Sequence, residues 1–356
     1  MDRKHYLDWL RGVGVIIMIQ GHVIDSWTLF ADHSRPAYKW INIVGGLGGA
    51  PIFLFLAGVA LALAAGARMR NGRTAQDVAA LARKRAWQVF GLALLFRLQS
   101  WAISGGGMQT ILKVDILNVM GVSMLGAAIL WGLGRGRPSR AALLMAAACA
   151  VALMTPLVRA SNLVSLLPDP IEWYLRPRPS GATFTLLPWA GFLLAGAAVG
   201  LWLDTAHTPR QERRLNLGLA AAGVAIGLAG LGASWLPPVY AQSSFWTSSP
   251  TFFFFRLGIV MTLVPVAYAV NRAGSRSRLA EFGRSSLFVY WIHVEMAYGV
   301  VSFALHHRLP LELAYLGFIL LTLLLYGIVK VKNHLQTAKG ATITKKTADI
   351  RTPLST

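Results

Sequence analysis

The chain has 356 residues, of which 55% are hydrophobic and only 13% are charged, and its mean hydropathy is +0.53. A soluble domain carries about 25% charged residues, so this composition excludes an ordinary soluble protein and predicts an integral membrane protein. The net charge of +20 does not indicate nucleic-acid binding here, because basic residues also accumulate in the cytoplasmic loops of membrane proteins.

Stretches of about 20 apolar residues, each long enough to cross a bilayer, predict an all-α bundle of about ten transmembrane helices. The predicted spans are 9–29, 41–66, 86–104, 111–133, 141–158, 183–203, 215–235, 251–271, 285–304 and 311–330. Of the 34 Lys and Arg residues, 24 fall in one alternating set of connecting segments and 6 in the other. Because the richer set contains both termini, both are predicted to be cytoplasmic.

Residues 1–332 are therefore expected to form one transmembrane domain, in a plasma membrane of the bacterial inner-membrane type. The segment 333–356 has few apolar residues, which predicts a disordered cytoplasmic tail. Two predicted outer connections, 159–182 and 236–250, are long and contain aromatic residues such as Trp173 and Trp246. Aromatic residues there are typical of membrane-interface anchors, and stacking on a sugar is the alternative.

The first predicted span carries Arg11 and His22, with Asp8 and Asp25 near its ends. Ionisable residues are costly in lipid and are kept where they face a bundle interior or a hydrated cavity. A rise of about 1.5 Å per residue from a cytoplasmic N-terminus places His22 in the outer half of the membrane. Asp25 lies at i+3 from His22 and therefore on the same helix face.

Further polar residues fall at a similar predicted depth in other spans. They are Arg97 late in the third span, Asp115 and Asn118 early in the fourth, Arg256 early in the eighth, and His293 and Glu295 midway along the ninth. Seven ionisable groups from five spans are thus predicted to converge toward the outside, which favours a hydrated functional cavity over scattered structural pairs. The pair Arg97–Asp115, across a short hairpin, also fits a purely structural role.

Basic residues mark the predicted cytoplasmic mouth, where Arg11 lies near the consecutive Arg83, Lys84 and Arg85. Such clusters are typical of the positive-inside bias or of lipid contacts. A binding site for a polyphosphate would show the same pattern, and the sequence leaves these alternatives open.

A histidine in a cavity can act as a general base while a neighbouring carboxylate holds its tautomer. Asp25 is the candidate partner of His22, and Asp32 that of His33, at or just past the outer end of the first span. The sequence contains no Gly-x-Ser-x-Gly elbow, no His-Glu-x-x-His run and no phosphate-binding Gly-rich loop. With Cys149 as its single cysteine, the chain gives no support for covalent catalysis or for a metal site.

Short motifs relate the chain to a known group of membrane enzymes. Asp8-x-x-Arg11-Gly12 and the Pro51–Gly58 segment resemble the heparan-α-glucosaminide N-acetyltransferase-like family, and the spacing of Arg11 and His22 resembles the related acyltransferase-3 group. The resemblance extends to the segments 114–118, 188–191 and 286–293, and so covers the first nine predicted spans.

The resemblance implies a membrane acyltransferase that takes an acetyl (acyl) group from cytoplasmic acetyl-CoA (acyl-CoA). The acceptor would be a sugar or glycan hydroxyl or amine on the extracytoplasmic side. In the animal members the active-site histidine follows the first helix, eleven residues past an Asn; His33 has this spacing and His22 stands in place of the Asn. The acyltransferase-3 enzymes use the helix-1 histidine instead, so the choice of base between His22 and His33 is open.

The sequence therefore predicts three sets of site residues. The catalytic set is His22, His33, Asp25, Asp115 and His293; the acyl-CoA-binding set is Arg11, Arg83, Lys84 and Arg85; the acceptor-binding set is Arg97, Asn118 and Arg256. The expected partners are membrane lipids, acyl-CoA and a glycan, with no metal and no nucleic acid.

The rival hypothesis is a polytopic transporter or flippase that uses the buried charges as a proton or substrate relay. The sequence shows no inverted repeat, which counts against this hypothesis. Acceptor identity, O- versus N-acylation, acyl chain and homodimer formation are left open by the sequence.

Overall fold

A computed structural model describes residues 3–105, 107–178, 182, 184–271 and 277–351, with side chains described through residue 337. Within these residues the chain is α-helical, and its only β-contacts are isolated bridges. The α-helices are α1 (His5–Trp27), α2 (Pro36–Arg70), α3 (Ala75–Ser104), α4 (Ile116–Leu133), α5 (Arg137–Ala160), α6 (Asp169–Leu175), α7 (Leu186–Leu203), α8 (Pro209–Ala233), α9 (Pro250–Val270), α10 (Arg278–Arg284), α11 (Ser286–Tyr298) and α12 (Leu311–Arg351). Short 3-10 helices occupy Phe30–Ser34, Met108–Leu112, Asn162–Leu166 and Val300–Leu305.

Eight helices in the described part of the chain are long and apolar enough to cross a membrane, namely α1, α2, α4, α5, α7, α8, α9 and the Leu311–Thr337 part of α12. The prediction of an all-α polytopic membrane bundle is confirmed. The other two predicted spans coincide with α3, whose first half is charged, and with α11, which has 13 residues. A helix of that length rises about 20 Å, less than the ~30 Å hydrocarbon core. The count of ten spans and the orientation stay predictions.

Two short helices, α6 and α10, lie in segments that the sequence predicts to be connections. At the C-terminus, α12 continues to Arg351 and so enters the segment 333–356, for which the sequence predicts a disordered tail. The domain boundary at residue 332 and the disorder of the tail stay predictions.

Helix α1 lies at the centre of the bundle and packs against α2, α9, α10, α11 and α12. Helix α7 packs on α2, α4 and α5, while α8 packs chiefly on α9. Small residues permit the closest crossings: a Cβ at Gly58 of α2 would collide with the Leu193 carbonyl of α7, and one at Gly12 of α1 with the Leu279 carbonyl of α10. Both glycines belong to the family-like motifs, and close helix contact explains them.

Candidate active site

A cavity of about 640 Å³ lies at the end of the bundle where α1, α3 and α11 end and where α2, α4, α7 and α9 begin. This end is opposite the N-terminus and is the predicted outer end. Six ionisable residues line the cavity, namely His22, Asp25, Arg97, Asp115, Arg256 and Glu295. The seventh predicted member, His293, is fully buried and contacts His22. The structure therefore brings together all seven ionisable groups that the sequence places at this depth.

His22 and His293 form a hydrogen-bonded pair between α1 and α11. Nδ1 of His22 lies 3.0 Å from Nε2 of His293, and the two rings are nearly parallel, with centroids 5.1 Å apart. Nδ1 of His293 lies 2.8 Å from the carbonyl oxygen of Val289, one turn earlier in α11. A chain of hydrogen bonds thus runs from the cavity wall to the α11 backbone.

This chain of hydrogen bonds fixes the tautomers of both rings when they are neutral. A carbonyl oxygen only accepts, so Nδ1 of His293 carries the proton and its Nε2 carries the lone pair. Nδ1 of His22 must then be the donor to that lone pair, which leaves Nε2 of His22 unprotonated. His22 lines the cavity, and it is therefore held in the form that can accept a proton from a bound ligand.

Asp25 does not hydrogen-bond His22, in contrast to the pairing that the i+3 spacing predicts. Its carboxylate accepts instead from the hydroxyl of Tyr298, at 2.9 Å. The ring of Tyr298 meets the His22 ring edge-on, with centroids 5.3 Å apart. Tyr298 therefore lies in contact with both Asp25 and His22, while His293 is the hydrogen-bonding partner of His22.

His33 lies in the 3-10 helix Phe30–Ser34 and is not among the residues that line the cavity. Its Nε2 lies 3.3 Å from the Thr28 carbonyl, and its ring stacks on Tyr38 at 4.1 Å. Asp32, its predicted partner, accepts instead from the backbone N–H of Leu311 at 2.8 Å. Of the two candidate bases, only His22 faces the cavity.

Asp115 and Asn118 form a capping box at the start of α4. The Asp115 carboxylate accepts from the N–H groups of Leu117 and Asn118 at 2.9 and 3.1 Å, and the Asn118 side chain accepts from the Asp115 N–H at 3.1 Å. Arg97 lies 3.3 Å from the second Asp115 oxygen, as its predicted pairing requires. Asn118 is buried and does not line the cavity, so its observed contacts are structural.

Arg256 is buried and is held by three neighbours. Nη2 donates to the Gly46 carbonyl at 2.6 Å, and the guanidinium lies over the rings of Trp189 and Phe252, at 5.0 and 4.3 Å. Its Nε, like Oε1 of Glu295 on α11, has no hydrogen-bond partner within the described residues. A polar ligand in the cavity could satisfy both groups.

The segment between α5 and α7 covers the α4 wall of the cavity. Trp173 of α6 is 4% exposed and packs with Val114 and Val119, so it is a core residue rather than an interface anchor. Glu172 accepts from Arg178 and Arg176 at 2.9 and 2.5 Å. Arg178 and Arg176 hold the pKa of Glu172 below its ordinary value.

A second polar region lies at the opposite end, where α1 begins and α2 ends. A cavity of about 440 Å³ there is lined by Arg3, Lys4, Arg11 and Arg70, together with Asp8, Asp204 and apolar residues of α1 and α2. A neighbouring cavity of about 560 Å³ also contains Arg70 and Asp204, and adds Arg135, Arg137, Arg140 and His207. Both cavities together form the basic mouth of the protein.

The predicted acyl-CoA-binding residues are only partly brought together. Arg11 lines the basic mouth and donates to Asp8 at 3.2 Å. Arg83, Lys84 and Arg85 are exposed on α3 and line neither cavity of the mouth. The residues that join Arg11 there, chiefly Arg3 and Arg70, were missed because they look like ordinary positive-inside residues in the sequence.

The basic mouth and the outer cavity share no lining residue. Between them α1 and α2 pack closely, because Gly14 lies against Ile52 and Gly49 lies against Met18. Within the described residues, no group of three or more His, Cys, Asp or Glu side chains could hold a metal ion. The lining of the outer cavity includes an imidazole, carboxylates and guanidinium groups.

Comparison with known families gives one match, which covers more than half of the chain. The family described as heparan-alpha-glucosaminide N-acetyltransferase, catalytic, matches residues 3–241. The matched segment contains His22, Arg97 and Asp115 and ends before Arg256 and His293. A search of curated proteins found no match.

Proposed function

This chain belongs to the heparan-alpha-glucosaminide N-acetyltransferase catalytic family, and from that premise we propose that it moves an acetyl group from cytoplasmic acetyl-CoA to a sugar on the extracytoplasmic side. The family is one of membrane acetyltransferases that act on glycans. The observation that carries the proposal is the His22–His293 pair at the wall of the outer cavity, which presents an unprotonated imidazole nitrogen to a ligand.

His22 is the general base of the proposed reaction. Its Nε2 takes the proton of the acceptor hydroxyl or amine as the acceptor atom bonds to the thioester carbon. The carbonyl π electrons move to oxygen, and collapse of this intermediate breaks the carbon–sulfur bond. The His22 imidazolium then protonates the departing thiolate, so the acceptor's proton ends on free CoA. His293 accepts the Nδ1–H of His22 throughout and stabilises the imidazolium.

The acceptor is bound among the charged and aromatic groups of the outer cavity. Glu295 and Arg256 each carry a buried polar atom without a partner, which suits a ligand that both donates and accepts hydrogen bonds. Trp189 presents an aromatic face beside Arg256, a surface on which a sugar ring can stack. These features support a glycan acceptor and are compatible with either a hydroxyl or an amine as nucleophile.

The donor phosphates are bound in the basic mouth. Arg3, Arg11 and Arg70 supply guanidinium groups that form strong, charge-assisted hydrogen bonds with phosphate oxygens. Along α1, Arg11 and His22 are separated by about 16 Å. The pantetheine arm is an extended chain that can cover such a distance. The two cavities share no lining residue, and Gly14 of α1 lies against Ile52 of α2 between them. We therefore propose that α1 and α2 separate locally to admit the arm once the donor has bound.

The test is stoichiometric turnover by the purified protein in proteoliposomes. Acetyl-CoA is supplied with a panel of amino sugars and neutral sugars; free thiol is measured, and the sugars are analysed by mass spectrometry. One thiol released per acetylated sugar supports the proposal. Thiol release without any acetylated product, or no release with any member of the panel, contradicts it.

A transporter is the second candidate function, because charged residues from several helices converge in the outer cavity. Ionisable residues that line a cavity inside a membrane bundle also suit a proton or substrate relay. Counterflow of a radiolabelled sugar in the same proteoliposomes, without thiol release, would favour transport over acetyl transfer.

A further inference from the structure

Tyr290 of α11 is a buried tyrosine in the wall of the outer cavity whose hydroxyl is uncommitted. The residue is 3% exposed and lines the cavity, and its hydroxyl has no hydrogen-bond partner within the described residues. The other tyrosine of the cavity wall, Tyr298, already donates to Asp25. Because this hydroxyl is not among the enclosed polar atoms that lack a partner, it opens into the cavity, where a ligand atom can accept its proton.

Tyr290 stands beside the histidine pair. It precedes His293 by three residues on the same face of α11, and their ring centroids are 5.6 Å apart. His22 is hydrogen-bonded to His293, and both His22 and Tyr290 line the cavity. Tyr290 therefore borders the same cavity in which an acyl carbon is attacked next to Nε2 of His22.

Aromatic contacts hold the Tyr290 ring in place, because Phe53 and Phe96 flank it at 6.4 and 6.0 Å. Two guanidinium groups also line the cavity. Arg97 lies 3.3 Å from Asp115 and Arg256 donates to the Gly46 carbonyl, while Nε of each makes no hydrogen bond within the described residues.

We propose that Tyr290 is a catalytic residue whose phenolic O–H donates a hydrogen bond to the oxyanion that forms on the thioester carbonyl. This inference rests on the proposed acetyl transfer. Attack of the acceptor breaks the carbonyl π bond and leaves its electron pair on oxygen, where the Tyr290 O–H meets it. The phenol keeps its proton, and the hydrogen bond weakens again when the carbonyl reforms and CoA thiolate departs.

The experiment compares Tyr290→Phe with wild type and with a matched control, Tyr6→Phe, in proteoliposomes. Tyr6 is also buried with an unpaired hydroxyl, but it lies near the other end of α1. Loss of one oxyanion donor typically costs about 10²–10³-fold in kcat. We expect a loss of this size in Tyr290→Phe, with unchanged KM and unchanged CoA affinity, and wild-type kinetics in Tyr6→Phe.

A second variant keeps the test decisive if Tyr290→Phe misfolds. Fluorotyrosine at position 290 is nearly isosteric, and its more acidic phenol donates a stronger hydrogen bond, so kcat should change while CoA affinity stays constant. Tyr290→Phe with wild-type kcat, or no response of kcat to fluorination, overturns the assignment. If the wild-type protein itself transfers no acetyl group, the proposed function fails and the role of Tyr290 falls with it.

Discussion

Replacing His293 by Leu is expected to lower kcat for acetyl transfer by about 5- to 160-fold. In the wild type, Nε2 of His293 accepts from Nδ1–H of His22 at a distance of 3.0 Å. The substitution removes this acceptor and leaves the Nδ1–H donor buried without a partner. An unpaired buried donor costs about 1–3 kcal/mol, and we assign this cost to the productive tautomer of His22. Since ~1.36 kcal/mol corresponds to a factor of ten in rate, the stated range follows.

The variant His293→Gln is the matched control, because its amide oxygen can still accept from His22. Thiol release is measured in single-turnover mode for both variants, and CoA affinity is measured by calorimetry to show that the donor still binds. The expected order of kcat is wild type, then His293→Gln, then His293→Leu. A His293→Leu protein that binds CoA and keeps wild-type kcat would refute the tautomer reasoning.

Four further predictions address other parts of the molecule. Arg11→Ala should weaken CoA binding in calorimetry, whereas the joint replacement of Arg83, Lys84 and Arg85 by Gln should leave affinity unchanged; equal losses would place the triplet in the donor site. Gly58→Leu should lower the thermal unfolding midpoint in detergent, because a side chain there collides with α7 and overpacking costs about 1–3 kcal/mol; an unchanged midpoint would contradict this close crossing. The contacts with Arg178 and Arg176 lower the pKa of Glu172 in the folded protein, so they stabilise the 162–178 segment at pH values above the ordinary Glu pKa of about 4.3. This stabilisation is lost as the pH falls through the lower pKa of the folded protein. Protection from hydrogen exchange in this segment, corrected for intrinsic exchange, should fall with pH in this way in wild type. In Glu172→Gln it should be lower than in wild type near neutral pH and should converge with wild type in acid; identical profiles would refute it. In a Cys149→Ala background, external thiol reagents should label Ser161→Cys and Ser243→Cys but not Gly72→Cys in intact cells; labelling of Gly72→Cys would overturn the predicted orientation.

The sequence predicts depth well, because a helix advances by a fixed rise per residue. That regularity is enough to place His22, Arg97, Asp115 and Arg256 at one end of the bundle, where the cavity holds them. The Arg97–Asp115 contact also follows from the sequence, because a short hairpin joins the two spans that carry these residues.

Side-chain partners are predicted poorly, because they depend on how distant helices rotate and cross. The i+3 spacing suggests that Asp25 pairs with His22, yet the partner of His22 is His293, 271 positions away on α11. Asp32 is next to His33 in sequence, but its carboxylate accepts a hydrogen bond from the backbone N–H of Leu311. Tyr290 lies in the family-like segment 286–293, but the segment does not single it out, since one tyrosine in an apolar span looks like any other core residue.

The central claim, that His22 is the base of an acetyl transfer across the membrane, is tested most directly by the turnover of His22→Ala and His33→Ala. Both are assayed in proteoliposomes for acetyl-CoA-dependent acetylation of the sugar that wild type modifies, with CoA affinity measured in each. Loss of a general base typically costs about 10²–10⁴-fold in rate. We predict a loss of this size in His22→Ala at unchanged CoA affinity, and near wild-type turnover in His33→Ala. A His22→Ala protein that acetylates the sugar at the wild-type rate would contradict the claim.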